Sequence, residues 1–248
     1  MRKIAFLFLF AALSSFAPAP GFREDQMANS RVAETRAEKE EFLKALCKTK
    51  GLTYPLQKLY IRSFKQEKEM ELWGRDDAHS TYTLLETYSI CASSGTLGPK
   101  RQEGDRQVPE GFYHVSSFNP NSSYHLSLAI NYPNASDKIL SDKTRPGGAI
   151  CFLGNCVTIG CLPMTDDKIK EIYWLAVLAK NHYNGNIPVS IFPARLTDTN
   201  MAALNHSYSA QPALTAFWAN LKGGYDYFEK HKKLPTVSVS ADGKYSFR

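Results

Sequence analysis

The sequence predicts an α+β domain built on a mainly antiparallel β-sheet with flanking helices. Segments that alternate apolar and polar residues follow one another between residues 59 and 132, as the strands of an antiparallel sheet do. Helical patterns precede and follow these segments. No glycine fingerprint joins a strand to a helix, which argues against a dinucleotide-binding fold.

The first 19 residues have the order of a secretory signal peptide. Arg2 and Lys3 form a basic start, residues 4–16 are apolar, and small residues and prolines follow. The apolar stretch is shorter than the roughly 20 residues that a bilayer-spanning helix needs. We therefore expect an exported, periplasmic protein without stable membrane insertion, whose mature chain begins near residues 18–22.

Composition narrows the expected partners. The chain has 248 residues, of which 43% are hydrophobic, so one full core with a small appendage is expected. A formal charge of +6 favours an anionic neighbourhood such as a cell wall. The basic residues are scattered without interleaved aromatic side chains, so no nucleic-acid partner is expected. The histidines lack metal-ligand spacing, and we predict neither a metal site nor a cofactor.

The predicted elements fall into three parts after the signal peptide. An amphipathic helix over 29–50 lies in an N-terminal helical segment, residues 20–56. A C-terminal helical extension, residues 196–248, packs on the main domain and holds one or two helices over 198–230. The main domain, residues 57–195, is predicted to contain strands at 59–64, 70–76, 81–90, 112–118, 124–132 and 187–192, a surface loop at 93–111, turns at 133–148 and a helix at 166–181.

One cysteine lies where chemistry is expected. An apolar strand, AICFL, enters a short loop and returns as VTIG into Cys161, ahead of the helix predicted from residue 166. A helix N-terminus stabilises a thiolate, and backbone N–H groups at the Gly160–Cys161 turn can form an oxyanion hole. A buried structural cysteine is the alternative interpretation. Cys156, five residues earlier, either pairs with Cys161 and silences it or remains a free neighbouring thiol.

This segment resembles the signature of the YkuD-type L,D-transpeptidases, in which a His-Gly pair precedes Ser/Thr-x-Gly-Cys. Thr158 to Cys161 match the second half, and GCLPMTD is similar to the branch that reads Gly-Cys-x-x-Met-Thr-Asp. GPKRQEGDRQVPEGFY and YHLSLAINYPNASD resemble two further segments of the family. The resemblance covers residues 57–195 and implies an L,D-transpeptidase-like catalytic domain.

The resemblance implies acyl transfer by Cys161. Its thiolate would attack the carbonyl that joins the L-configured centre of a diamino acid to D-alanine in a peptidoglycan stem, and an amine or water would capture the acyl-enzyme. Thr158 and Gly160 are expected beside the substrate, and Arg145 or Arg195 could meet a stem-peptide carboxylate. Peptidoglycan stem peptides are the expected partners; a cell-wall-linked protein is a further candidate, if a protein lysine is the acceptor.

The sequence departs from the family pattern at the histidine that is expected to act as the catalytic base. The family histidine falls at position 153, where this chain has Leu153. A base contributes on the order of 10² to 10⁴ in rate, so its loss puts the activity in doubt. His125 is the first candidate replacement and His114 the second, although each is also explained as an ordinary strand histidine.

Three functions are consistent with these residues. The leading hypothesis is a cysteine acyltransferase or peptidase that acts on peptidoglycan stems. The second is a transpeptidase fold that has lost its base and only binds cell-wall peptide. The third is disulfide exchange by Cys156 and Cys161, although their C-x₄-C spacing differs from the C-x-x-C of redox proteins.

Overall fold

The computed structural model describes residues 21–183 and 185–248. The predicted signal peptide, residues 1–19, lies outside the described residues. The helices are α1 (Phe22–Met27), α2 (Ser30–Thr49), α3 (Ala135–Leu140), α4 (Asp166–Tyr183), α5 (Asp198–Ser207) and α6 (Pro212–His231). The strands are β1 (Lys58–Phe64), β2 (Glu69–Arg75), β3 (Thr83–Ser89), β4 (Gly111–Asn119), β5 (Ser127–Ile130), β6 (Cys151–Leu153), β7 (Leu162–Pro163), β8 (Pro188–Phe192), β9 (Val237–Val239) and β10 (Tyr245–Phe247).

Eight of these strands form one sheet in the order β3-β2-β1-β8-β4-β5-β6-β7. Its neighbours are antiparallel except for β1 with β8 and β6 with β7, which are parallel. Strands β9 and β10 form a separate antiparallel pair. The predicted α+β class, with a mainly antiparallel sheet and flanking helices, is confirmed.

Strand β1 shows that the sheet is covered on both faces. Leu59 and Ile61 belong to the apolar cluster that contains the buried residues of α4. Tyr60 and Phe64 point the other way, and the Tyr60 ring lies 4.9 Å from that of Phe228 in α6. Because both faces of the strand are packed, β1 is buried along nearly its whole length rather than at alternate positions.

Two elements differ from the sequence prediction. The predicted turns at 133–148 contain the helix α3, which begins with a capping box: the Asn134 side chain accepts the Asp137 N–H, and the Asp137 carboxylate accepts the Asn134 N–H. A six-residue helix is too short to show periodicity in the sequence. The C-terminal extension also contains the β9–β10 pair, in which Tyr245 and Phe247 pack against Phe112 at 5.0 and 5.1 Å between ring centroids.

A disulfide joins Cys91, just after β3, to Cys156 in the loop between β6 and β7. The Cys91 N–H also donates to the Pro163 carbonyl at 3.0 Å, so the chain that leaves β3 lies against β7. Cys156 is therefore neither a free thiol nor the partner of Cys161, and both sequence interpretations of it are wrong. Its partner lies 65 residues away, a separation that local spacing cannot reveal.

Removing this disulfide should destabilise the fold. Closing a loop of 65 residues restricts the unfolded chain, so the double variant Cys91→Ala/Cys156→Ala should lose roughly 2–4 kcal/mol of unfolding free energy. Urea denaturation without reductant measures the difference. The wild-type protein with this bond reduced is the matched control and should fall to a similar stability. Equal midpoints for the oxidised wild type and the variant would contradict the expected role of the bond.

Candidate active site

Cys161 and Leu162 line a cavity of about 360 Å³. The opposite walls come from the turn between β1 and β2, which supplies Lys65 and Lys68, and from residues 92–97 after β3. Lys65 is held by the Gly98 and Val108 carbonyls and by the Glu110 carboxylate. Cys161 therefore lies in the wall of a cavity that also carries hydroxyl groups, from Ser93, Ser94 and Thr96.

The loop that leads into Cys161 is fixed by its own backbone and one hydroxyl. Thr158 Oγ1 donates to the Cys161 carbonyl at 2.7 Å and accepts the Gly160 N–H at 3.2 Å. Gly160 has φ of 129°, a conformation that favours glycine, and a Cβ there would lie 3.3 Å from the Gln107 carbonyl oxygen. Thr158 and Gly160 thus fix the conformation of the loop that leads into Cys161.

The sulfur of Cys161 lies beside a second cysteine. Its Sγ is 3.2 Å from Cys151 Sγ and accepts the Cys151 N–H at 3.4 Å. Hydrogen bonding from the Cys151 thiol lowers the pKa of Cys161 to about 7, although burial opposes the shift, and the Cys151 N–H adds to the lowering. The pKa of Cys151 is raised, chiefly because its proton is shared with Cys161. The Cys151 N–H is directed at Cys161 Sγ, which favours ionisation of Cys161 over ionisation of Cys151.

The source of thiolate stabilisation differs from the sequence prediction. Helix α4 begins at Asp166, and strand β7 lies between this helix and Cys161, so the helix N-terminus is not at the sulfur. Cys151 supplies the stabilising donors instead. Sequence reasoning missed Cys151 because it lies ten residues away, and only the pairing of Phe152 with Leu162 brings the two cysteines side by side.

Comparison with known proteins identifies the family. No family model matches the chain. A curated relative from Escherichia coli K12, "Putative L,D-transpeptidase YafK", is 41% identical over 189 residues, which is 75% of this chain and 72% of the relative. The chain belongs to the L,D-transpeptidase family. The resemblance seen in the sequence is therefore confirmed, and the same values hold for the relative from Escherichia coli O157:H7.

Solved structures give weaker similarities. The helical cell shape determining protein Pgp2 from Campylobacter jejuni has a TM-score of 0.44 and 17% identity, covering 73% of this chain and 72% of its own. L,D-transpeptidase 1 from Mycobacterium tuberculosis has a TM-score of 0.31 and 16% identity, covering 54% and 61%.

Leu153 stands where the sequence resemblance places the histidine of the L,D-transpeptidases. It is 3% exposed and lies two residues along β6 from Cys151, on the same face of the strand by alternation. Phe152 points the other way into the main apolar cluster. By the sequence resemblance, the family histidine would lie on this side of β6. The same side carries Cys151 and Leu153, and the Cys161 sulfur lies beside Cys151.

The structure does not bring His125 to Cys161. His125 precedes β5 by two residues and lies beside Gly154, where an added Cβ would be 3.0 Å from His125 Cβ. This is the opposite end of β6 from Cys151, because Ser127 pairs with Leu153 and Ala129 pairs with Cys151. Burial lowers the pKa of His125 despite the nearby Asp166 carboxylate. The expected role of His125 as the base finds no support in this placement.

The other candidates are also away from the sulfur. His114 lies on β4 and lines a different cavity with Tyr113 and Asn131. Arg195 is bound to Glu69 at 2.7 Å and to Glu71 at 2.5 Å, so its guanidinium is already paired. Arg145 is exposed in the loop before β6, where its N–H donates to Asp142. Four residues later in this loop, the Ala149 carbonyl accepts from Cys161 Sγ, at 3.5 Å.

No group of three or more His, Cys, Asp or Glu side chains within residues 21–183 and 185–248 is arranged to hold a metal ion. In the same residues, no helix combines the length and apolar character needed to cross a bilayer.

Replacing Cys151 should change how Cys161 titrates. In the reduced wild-type protein, alkylation of Cys161 by iodoacetamide should rise with pH and reach half its plateau near pH 7, because the thiolate reacts. Cys151→Ala removes the thiol donor, so this midpoint should move up by at least about one pH unit, toward the ordinary value near 8.5. Peptide mass spectrometry of pH-jump samples measures the profile.

Cys151→Ser is the matched control because its hydroxyl can still donate to the thiolate. Its midpoint should lie below that of Cys151→Ala. Cys47 is fully buried and burial raises its pKa to about 11, so it should stay unmodified throughout. An unchanged midpoint in Cys151→Ala would show that Cys151 does not stabilise the thiolate.

Proposed function

We propose that the protein is an exported L,D-transpeptidase-type cysteine acyltransferase, or a related peptidase, that acts on peptidoglycan stem peptides through Cys161. The observation that carries this proposal is a thiol whose pKa is lowered to about 7, in the wall of a cavity, in a member of this family. Near neutral pH about half of such thiols are thiolate, which is the reactive form.

The proposed reaction has two steps. The Cys161 thiolate attacks the stem-peptide carbonyl that precedes D-alanine, a thioester forms, and D-alanine leaves after its nitrogen takes a proton. An amine or water then attacks the thioester and regenerates the thiolate. The Cys161 N–H is the proposed oxyanion donor, since the Gly160 N–H is bound to the Thr158 hydroxyl. Arg145, which is exposed in the loop before β6, is the proposed contact for a substrate carboxylate.

The periplasm is the proposed compartment. Peptidoglycan stems lie outside the inner membrane, and the predicted signal peptide accounts for export. The Cys91–Cys156 disulfide agrees with this location, because such bonds persist in oxidising compartments.

A binding protein for the same stem peptides is the second candidate. Leu153 favours it, because this side chain cannot accept or donate a proton and no histidine in the described residues contacts the Cys161 sulfur. If the first candidate is right, solvent in the cavity protonates the leaving nitrogen. This predicts a slow enzyme. Its rate should lie below that of an enzyme with the histidine by a factor of up to about 10² to 10⁴, the usual contribution of a base.

A carbapenem should label the reduced protein at one residue. Intact-protein mass spectrometry should show a single adduct, because the thiolate attacks the strained lactam as it would attack the stem peptide. Cys161→Ala should abolish the adduct. Cys47→Ala, which alters only a buried thiol far along the sequence, should retain it. Labelling that survives in Cys161→Ala would move the nucleophile elsewhere.

Restoring the family histidine should speed this acylation. Leu153→His places an imidazole on the same face as Cys151 and should raise the rate by at least about tenfold, a conservative part of a general-base contribution. His125→Ala should change the rate by less than about twofold, because His125 lies at the other end of β6.

The melting temperature of each variant must be measured with its rate, since an unsatisfied buried imidazole costs about 1–3 kcal/mol. A folded Leu153→His protein that gains nothing, in a parent inert to the carbapenem, would favour the binding protein. A large loss in His125→Ala would restore His125 as the base.

A further inference from the structure

We propose that Cys161 and Cys151 are a redox pair, whose disulfide stores the nucleophile in an inactive form until a thiol reductant opens it. The bond itself follows from the positions of the two cysteines. Its consequence for activity rests on the proposed function, because an oxidised Cys161 cannot attack a stem peptide.

The backbone geometry fits a disulfide. Phe152 pairs with Leu162 in parallel register, so Cys151 and Cys161, one residue before each, lie side by side on adjacent strands. Adjacent strands are about 4.8 Å apart, within the range of about 4.4–6.8 Å that separates disulfide-linked Cα atoms. The two sulfurs are already 3.2 Å apart, so they must approach by only about 1 Å to reach bonding distance.

The other three cysteines do not compete for this bond. Cys91 and Cys156 are joined to each other. Cys47 is fully buried in the apolar cluster beneath α2. Cys151 and Cys161 are both partly exposed, and Cys161 opens to the cavity, so a soluble thiol or disulfide can reach the pair.

The chemistry balances with a disulfide as the oxidant. The Cys161 thiolate attacks one sulfur of the oxidant, a mixed disulfide forms and one thiolate of the oxidant leaves. Cys151 then loses its proton to solvent, and its sulfur attacks Cys161 Sγ and releases the second oxidant thiol. Two electrons pass from the cysteine pair to the oxidant. A dithiol reductant reverses the sequence and returns both cysteines to thiols.

The two residues have different roles in this exchange. Cys161 is the attacking thiol, because its pKa lies near ambient pH and the residue lines the cavity. Cys151 is the resolving thiol. Its raised pKa leaves little of it as thiolate, but its sulfur is already 3.2 Å from Cys161 Sγ, so little movement is needed for the attack. Rapid closure by Cys151 would also keep Cys161 from irreversible oxidation, since an intramolecular disulfide competes with formation of sulfinic acid.

Mass spectrometry of the full processed protein tests the bond. The protein is purified without reductant, incubated with oxidised glutathione, blocked with an alkylating reagent and digested with trypsin and chymotrypsin. Cleavage after Phe152 separates Cys151 from the fragment that carries both Cys156 and Cys161, so tandem mass spectrometry of the linked fragments assigns each disulfide to its cysteine. We expect this crosslink together with the Cys91–Cys156 crosslink. Alkylated Cys151 and Cys161 under these conditions, or a crosslink from Cys161 to Cys156, would overturn the proposal.

A second experiment measures acylation by a carbapenem and tests whether the disulfide inactivates Cys161. The oxidised wild type should acylate at least tenfold more slowly than the same sample after mild reduction that leaves Cys91–Cys156 intact. Cys151→Ser cannot form the bond, so reductant should leave its acylation rate unchanged when the variant has not been exposed to oxidised glutathione. After oxidised glutathione, Cys161 of this variant should instead carry one glutathione as a mixed disulfide, because no resolving thiol displaces it. Cys47→Ser is the matched control and should keep the full response of the wild type to reductant.

The two proposals fail in different ways. If the crosslink forms but neither redox state is acylated, the proposed enzymatic function fails and the redox pair stands. If the reduced protein is acylated and no crosslink forms, the redox pair fails and the enzyme stands. Equal acylation of the crosslinked and reduced protein would refute the storage role.

Discussion

The parallel pairing of β6 with β7 is the constraint on which the site depends. Strand β7 has only two residues, yet its register places Cys161 beside Cys151. Thr158 and the conformation of Gly160 hold the loop between the strands, and the disulfide to Cys91 anchors that loop to the chain leaving β3. A shift of one residue in this pairing would turn Cys161 to the other face of the sheet and remove it from its partner.

In this chain a neighbouring thiol, rather than a histidine, lowers the pKa of Cys161. A cysteine that donates to the thiolate lowers the pKa of the nucleophile, but it does not accept the proton that a base would take from the thiol. It also places a second thiol where an external disulfide can oxidise the two cysteines to an intramolecular bond. Thiolate stabilisation and susceptibility to disulfide formation therefore arise from the same 3.2 Å contact. In the proposed reaction Leu153 supplies no proton acceptor, so protons are exchanged with solvent.

Sequence patterns predicted most of the regular structure, because β1 to β4, β8, α2, α4 and α6 are long enough to show their period. They did not predict α3 or the β9–β10 pair, whose short lengths carry little periodicity. Family resemblance singled out Cys161, but the pairings of Cys91 with Cys156 and of Cys151 with Cys161 depend on sheet register. The sequence also could not show which end of β6 His125 faces. The register puts it at the end away from Cys151, and its role as the base stays a prediction.

Release of D-alanine from purified stem tetrapeptides tests the central claim most directly. The reduced protein should release one D-alanine for each stem peptide consumed, pass through a thioester at Cys161 that denaturing mass spectrometry can trap, and lose both signals in Cys161→Ala. Saturable binding of the same peptide with no D-alanine released and no thioester, by a folded and fully reduced protein, would contradict the account and identify a binding protein.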